Sequence, residues 1–226
     1  MQHGLVLTAA GGSTRFGGGA SKVLALLRGV PVLVRAGRPF LEALPRVDVV
    51  VTCRDEDLAG VTAALRGEAG LAHARVVRGG ATRQESVRLG MDALEASVEW
   101  VLVHDAARPS ITTGLIRRVL AAATAHGAAV PALPVADTIH RVDALGLVVE
   151  SLRREALRAV QTPQIARRSL LARAYAHAAR FALTATDEAG LLSAAGISVA
   201  TVAGDVGNVK ITTRDDLARL EIGLGS

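Results

Sequence analysis

Short apolar runs, many of them β-branched, alternate with longer amphipathic segments through roughly the first half of the chain. This alternation is typical of βα units, which build a parallel sheet covered by helices. Right-handed crossovers place the carboxyl ends of such strands along one edge, where ligands of open α/β sheets bind. We therefore predict an α/β fold with a mostly parallel twisted sheet flanked by helices. The predicted strands are 5–7, 47–52, 74–77 and 100–103, and the predicted helices are 31–44, 56–67, 82–95 and 112–126.

The alternation breaks after residues 128–134. Residues 137–160 read as extended pieces around a turn near 143–146, which predicts a β-hairpin arm. A lone two-stranded ribbon is marginal in water, so we expect the arm to pack on something, such as a second subunit. Helices at 167–180, 187–195 and 213–222 and a strand at 197–202 complete the prediction. Without a linker, residues 1–226 are expected to form a single domain.

Composition excludes several classes of protein. Half of the 226 residues are hydrophobic, no stretch is long and uncharged enough to span a bilayer, and the start lacks a basic signal-peptide region. Cys53 is the only cysteine, so an internal disulfide is excluded and we expect a cytoplasmic protein. No fused enzyme is expected after Ser226. The net charge of +5 comes from scattered arginines with only 2% aromatic residues. This pattern argues against nucleic acid and favours small phosphorylated ligands.

A glycine-rich loop follows the first predicted strand and reads T-A-A-G-G-S-T-R-F-G-G-G-A-S-K over residues 8–22. Its backbone N–H groups, with Arg15 and Lys22, predict a cradle for phosphate. The loop is no P-loop, because Ser21 precedes the lysine and Val23 follows it, and it lacks the dinucleotide fingerprint. Lys22 and Lys210 are the only lysines, which suggests that both positions need a compact ammonium.

Three more motifs lie in loops that follow predicted strands. In H-D-A-A-R-P (104–109), Asp105 is a candidate ligand for Mg²⁺, although aspartate and proline are also ordinary turn residues. In G-G-A-T-R-Q-E-S (79–86), Ser86 could bind a base or ribose, but the segment could equally be a turn with Thr82 as N-cap. The stretch 205–212 contains Lys210 and the only asparagine, and a solvated loop is the alternative.

Taken in order, the motifs A-A-G…R…K, G-G…S, H-D-A-A-R-P, D-T, T-P-Q, T-D-E-A and N-V-K-I-T resemble those of the 2-C-methyl-D-erythritol 4-phosphate cytidylyltransferases. These are nucleotidyltransferases of the non-mevalonate isoprenoid pathway. The resemblance covers residues 5–220 and implies a Rossmann-like fold. It also implies that a cytidylyl group moves from CTP to methylerythritol phosphate, with Mg²⁺, releasing pyrophosphate. Thr8, Ser21 and Val23 depart from the family pattern, which commonly has proline, proline and glutamine there.

The resemblance also implies roles for individual residues. Arg15, Lys22, Lys210 and Asp105 would be catalytic, with Asp105 holding the metal and Lys210 reaching the α-phosphate. The arm would cross to the partner of a homodimer. The remaining assignments are Ala9, Ala10 and Gly11 for the triphosphate, Gly80 and Ser86 for the cytosine and ribose, Ala106 for CTP, and Arg108, Thr138, Arg154, Thr162 and Thr186 for the acceptor. Catalysis would rest on positioning and charge neutralisation, without a covalent enzyme intermediate.

Other functions remain open at this point. The nearest is a cytidylyltransferase for another polyol phosphate, such as ribitol 5-phosphate, which would share the nucleotide half and differ in the acceptor residues. A sugar transferase of similar architecture would want a D-x-D motif after a strand, and His104-Asp105-Ala106 does not supply one. A non-catalytic nucleotide-binding module is a third possibility, but both lysines and Asp105 argue against it.

Overall fold

The computed structural model describes residues 2–12, 16–17 and 21–223. The helices and strands of the first half are β1 His3–Thr8, β2 Leu26–Leu27, β3 Val30–Pro31, α1 Val32–Ala43, β4 Asp48–Cys53, α2 Leu58–Arg66, β5 Arg75–Arg78, α3 Arg83–Asp92 and β6 Trp100–Asp105. Those of the second half are α4 Thr113–His126, β7 Ala128–Pro134, β8 Ile139–Val142, β9 Val148–Leu152, β10 Arg158–Val160, β11 Gln164–Arg167, α5 Arg168–Phe181, α6 Glu188–Ala194, β12 Ala200–Ala203 and α7 Arg214–Gly223.

Within the described residues, eight strands form one mixed, mostly parallel sheet in the order β10–β7–β11–β6–β1–β4–β5, with β12 paired on β7. β1 runs parallel to both β4 and β6, so that Thr8 lies opposite Thr52 and Asp105. β11 runs antiparallel to β6 and β7. The carboxyl ends of β1, β4 and β6 therefore meet at one edge, and the predicted α/β fold is confirmed.

Helices cover both faces of this sheet, because the strands alternate their apolar side chains between two cores. Leu5 and Leu7 of β1 belong to one core with side chains of α1 and α4, whereas Val6 belongs to the other with side chains of α3 and α5. Burial on both faces is what makes such strands continuously apolar in sequence. None of the described helices is long and apolar enough to cross a membrane.

The second half differs from the predicted pattern in two respects. Residues 128–134, for which no element was predicted, form β7, which pairs with β10, β11 and β12. The arm is also shorter than 137–160, because its last residues form β10 and pair with β7. What remains is the hairpin of β8 and β9, with Leu145 83% exposed at its turn. Its apolar side chains Val142, Leu147 and Val148 are exposed as well.

Candidate active site

A cavity of about 200 Å³ opens at the carboxyl edge of the sheet. It lies between the first glycine-rich loop and the turn that begins α3, and the end of β6 closes one side. Most of the predicted nucleotide residues line it. The lining consists of Thr8, Ala9, Ala10, Gly11, Gly12, Lys22, Val23, Gly80, Ala81, Thr82, Arg83, Ser86, Asp105, Ala107 and Lys210. Both lysines of the chain therefore lie on this one cavity.

Two glycine-containing turns meet at the cavity, and they can approach each other closely because Gly79 has no side chain. A Cβ added to Gly79 would lie 2.5 Å from Ala10 Cβ and 3.0 Å from Ser86 Oγ, so glycine is what permits the approach. Ser86 is 2% exposed, accepts from the Gly80 N–H at 3.1 Å and donates to the Thr82 carbonyl at 2.8 Å. Thr82 also caps α3 by accepting from the Glu85 N–H. Ser86 thus holds the turn in shape while facing the cavity.

Asp105 ends β6 and carries the one carboxylate among the described residues that line the cavity. Lys210 Nζ lies 2.7 Å from Oδ2, Arg108 Nε lies 3.5 Å from Oδ2, and Arg83 Nε lies 3.6 Å from Oδ1. Burial would raise the pKa of Asp105, but these cations, Lys210 foremost, hold it well below its usual range. Three cations around one carboxylate leave the site net positive, as an anion requires.

Arg83 is a cavity residue to which sequence reasoning assigned no role. Its guanidinium binds Glu188 through two hydrogen bonds, Nη1 to Oε1 at 2.8 Å and Nη2 to Oε2 at 3.0 Å. Glu188 is 2% exposed, and the facing guanidinium opposes the rise in the pKa of Glu188 that burial causes. This fork geometry fixes the Arg83 side chain beside Asp105. The signal was present, because Arg83 lies in the G-G…S motif and Glu188 in T-D-E-A.

A buried chain of hydrogen bonds supports Asp105 from behind. The Asp105 N–H donates to Thr162 Oγ1 at 3.1 Å, and that hydroxyl lies 2.9 Å from His104 Nδ1. His104 Nε2 lies 3.2 Å from the Arg108 carbonyl, which can only accept, so Nε2 carries the ring proton and Nδ1 accepts from Thr162. Burial lowers the pKa of His104 to about 4 and keeps the ring neutral. The Thr162 hydroxyl therefore has two protein partners.

The loop before Lys210 is fastened by side chains that are themselves buried. Asn208, the only asparagine of the chain, is 0% exposed and donates from Nδ2 to the Thr162 carbonyl at 2.8 Å. Arg108 donates to the Asn208 carbonyl at 2.7 Å, and Gln161 bonds both the N–H and the C=O of Asp205. The segment is therefore only partly solvated: Val206 is exposed, whereas Asn208 is buried and the Lys210 ammonium lies against Asp105.

The other predicted site residues lie outside the cavity lining. Ala106 is fully buried, and its neighbour Ala107 faces the cavity instead. Thr138 is exposed beside the arm, and Arg154 donates to the Ala136 carbonyl at the base of the arm. Thr186 is exposed just before α6. Arg108 contacts the Asp105 carboxylate. Arg15 lies outside the described residues.

The arrangement fits a magnesium ion that arrives with a polyphosphate better than a metal cage made by protein alone. No group of three or more His, Cys, Asp or Glu side chains in the described ranges could hold a metal. Asp105 does provide an ionised carboxylate at the cavity wall. Mg²⁺ is commonly bound by one or two carboxylates together with substrate phosphates, so one aspartate is sufficient.

Comparison with known proteins identifies the family. Residues 4–226 match the family model described as IspD: 2-C-methyl-D-erythritol 4-phosphate cytidylyltransferase. The chain belongs to this family. A cytidylyltransferase of that name from Symbiobacterium thermophilum is 41% identical over 218 residues, which cover 96% of this chain and 91% of the relative. The crystal structure of the Thermus thermophilus member matches with a TM-score of 0.80 and 36% identity, and both chains are covered completely.

Some relatives of this chain are longer proteins. A bifunctional enzyme IspD/IspF from Bradyrhizobium sp. is 43% identical over 224 residues, which cover 98% of this chain but 56% of the relative. The chain thus spans about half the length of these bifunctional relatives. The family match confirms the resemblance found in the motifs and disfavours a sugar transferase or a non-catalytic module.

Proposed function

We propose that this protein transfers the cytidylyl group of CTP to 2-C-methyl-D-erythritol 4-phosphate. The observation that carries the proposal is the charge arrangement of the cavity in a member of this family. Lys22, Lys210 and Arg83 line a cavity whose described lining contains a single carboxylate, Asp105. Loop amides and excess positive charge suit a nucleoside triphosphate.

The reaction needs two anions to meet. A phosphate oxygen of the acceptor attacks the α-phosphorus of CTP, a new P–O bond forms, and the bond to the β-phosphate breaks as pyrophosphate leaves with the electron pair. Lys22 and the first loop would hold the triphosphate, and Lys210 would neutralise charge at the α-phosphate. Arg83, oriented by Glu188, adds a fixed positive charge. Fixed cations in a site shielded from water stabilise such a transition state.

Mg²⁺ bound at Asp105 would further neutralise the phosphate oxygens and the departing pyrophosphate. A cation is compatible with the ionised state of the Asp105 carboxylate. Lys210 and Arg83 already approach that carboxylate, so the chain's own contribution is to keep it charged and directed at the cavity.

The protein is further proposed to act as a homodimer in the cytoplasm. The hairpin of β8 and β9 exposes several apolar side chains that water does not favour, and a partner subunit would cover them. Arg154 and Thr138, at its base, would then help to bind the acceptor across the interface. The buried, unpaired Cys53 thiol suits a reducing compartment.

Pyrophosphate release from CTP and Mg²⁺ with separate polyol phosphates tests the activity. We expect release with methylerythritol phosphate and little with ribitol 5-phosphate. Release with ribitol phosphate alone would refute the proposed acceptor. Arg154→Ala should raise the KM for the acceptor, and Arg153→Ala, its exposed neighbour, is the matched control.

Mixed subunits test the shared site. At acceptor concentrations well below the raised KM of Arg154→Ala, the Lys210→Ala and Arg154→Ala variants should each be nearly inactive alone, because each lacks a residue of every site. A mixed dimer contains one site with both residues intact, so mixing should restore part of the activity. No recovery in mixed dimers verified by native mass spectrometry would contradict an arm that crosses between subunits.

A further inference from the structure

A small apolar cluster lies beneath the first glycine-rich loop, apart from the two main cores. Its buried members are Phe16, Leu27, Val32 and Ile211. Phe16, which is 4% exposed, is the contribution of the loop to this cluster. Leu217 of α7 packs against the same cluster. The loop therefore has an apolar attachment to the last part of the chain.

A polar contact reinforces the attachment. Arg214, the first residue of α7, donates from Nε to the Phe16 carbonyl at 3.2 Å. The next residue, Gly17, has a φ of 95°, and its open side faces the same guanidinium, because an added Cβ would lie 3.5 Å from Arg214 Nε. A side chain at this position would be strained, so the backbone here depends on glycine and on what packs against it.

The segment that holds the loop also carries a residue of the cavity. Lys210 contacts Asp105, and Ile211 directly after it enters the apolar cluster while its N–H donates to the Ala107 carbonyl at 2.8 Å. Asp216 then accepts hydrogen bonds from Thr212 and Thr213, which fixes the start of α7. The loop and Lys210 are consequently held by one short stretch of chain.

We propose that Phe16, Ile211 and Arg214 are positioning residues that hold the first loop in register with Lys210, so that both sides of the cavity are set to bind one triphosphate. This inference rests on the proposed function for its ligand. It differs from a general stabilising role in one respect. We call the contacts of Phe16 with Ile211 and Arg214 the anchor. Losing the anchor should weaken the binding of the triphosphate tail and leave the binding of the nucleoside monophosphate unchanged.

The test compares Arg214→Ala with Arg214→Lys, which retains a donor, and with Arg219→Ala on the exposed side of the same helix. Hydrogen exchange of peptides that contain the Phe16 and Gly17 amides reports the anchor without any ligand. Loss of one hydrogen bond should speed this exchange about fivefold in Arg214→Ala. We expect an intermediate rate for Arg214→Lys and the wild-type rate for Arg219→Ala.

Calorimetric titration with CTP and with CMP then tests the positioning role. Arg214→Ala should raise the Kd for CTP about fivefold and change that for CMP less than about twofold. In turnover, the KM for CTP should rise and the KM for the acceptor should not. Phe16→Ala should show the same pattern, and Phe16→Leu should recover much of the affinity for CTP.

Each other outcome is informative. Unchanged exchange in Arg214→Ala would overturn the anchor. Faster exchange with equal losses for CTP and CMP would overturn the positioning role. If exchange is faster in Arg214→Ala but the wild type itself binds no CTP, the proposed function and the triphosphate role are overturned. The anchoring contact would still stand.

Discussion

Lowering the pH should destabilise this protein through a single buried histidine. His104 is 0% exposed, and burial lowers its pKa from 6.5 to about 4. The unfolded chain binds a proton there near pH 6.5 and the folded protein does not, so stability falls as the pH drops through this window. Linkage between these two pKa values gives a loss of about 2.5 kcal/mol between about pH 7.5 and pH 4.5.

His104→Gln isolates this contribution, because glutamine keeps a donor for the Arg108 carbonyl and has no titratable ring. Burial raises the pKa of Glu188, so this residue acts in the opposite direction, but its effect is present in both proteins and cancels in the difference. Urea unfolding followed by circular dichroism in EDTA at both pH values measures the free energies. The wild type should lose about 2.5 kcal/mol more than the variant. Parallel pH profiles would refute a neutral, buried His104.

Three further predictions concern the cavity. Lys210→Arg should lower kcat about tenfold or more while the Kd for CTP stays within about threefold, because a planar guanidinium cannot replace a compact ammonium between Arg83, Arg108 and the α-phosphate; unchanged turnover contradicts this. Glu188→Gln should cost about 3 kcal/mol in urea unfolding, because it leaves the Arg83 charge with only its longer contact to Asp105. Gly79→Ala should cost about 1–3 kcal/mol by clashing with Ala10, whereas Gly12→Ala, with no atom within 4 Å, should match the wild type in thermal melting.

The sequence predicted most of the sheet because periodicity and capping are local properties. Thr82 caps α3, as one of the two interpretations of its segment predicted, and Thr112, where a helix was predicted to begin, caps α4. The antiparallel placement of β11 was not predictable in this way. The direction of β11 depends on its pairing with β6, which lies far away in the sequence. The four residues of β11 are too few to show a periodicity that would predict this strand.

The site residues were likewise predicted where the signal is local and missed where it depends on distant parts of the chain. Motif order and the scarcity of lysine pointed to Asp105, Lys22 and Lys210, and all three line the cavity. Arg83 was missed because its role depends on Glu188, which is 105 residues away along the chain. Thr162 was assigned to the acceptor by motif alone, and its two buried partners become visible only in three dimensions. That acceptor role stays a prediction.

The spread of the cavity residues along the chain has a consequence for how this protein is made. β1, which leads into the first loop, pairs with β6 about a hundred positions later, and Lys210 comes from near the end of the described residues. Contacts of such large sequence separation form late and slowly. While the ribosome is still synthesising the chain, the loop from Thr8 exists without its opposing lysine. The capacity to bind CTP should consequently appear in one step, after Lys210 has emerged, and no shorter nascent chain should withdraw nucleotide from the pool.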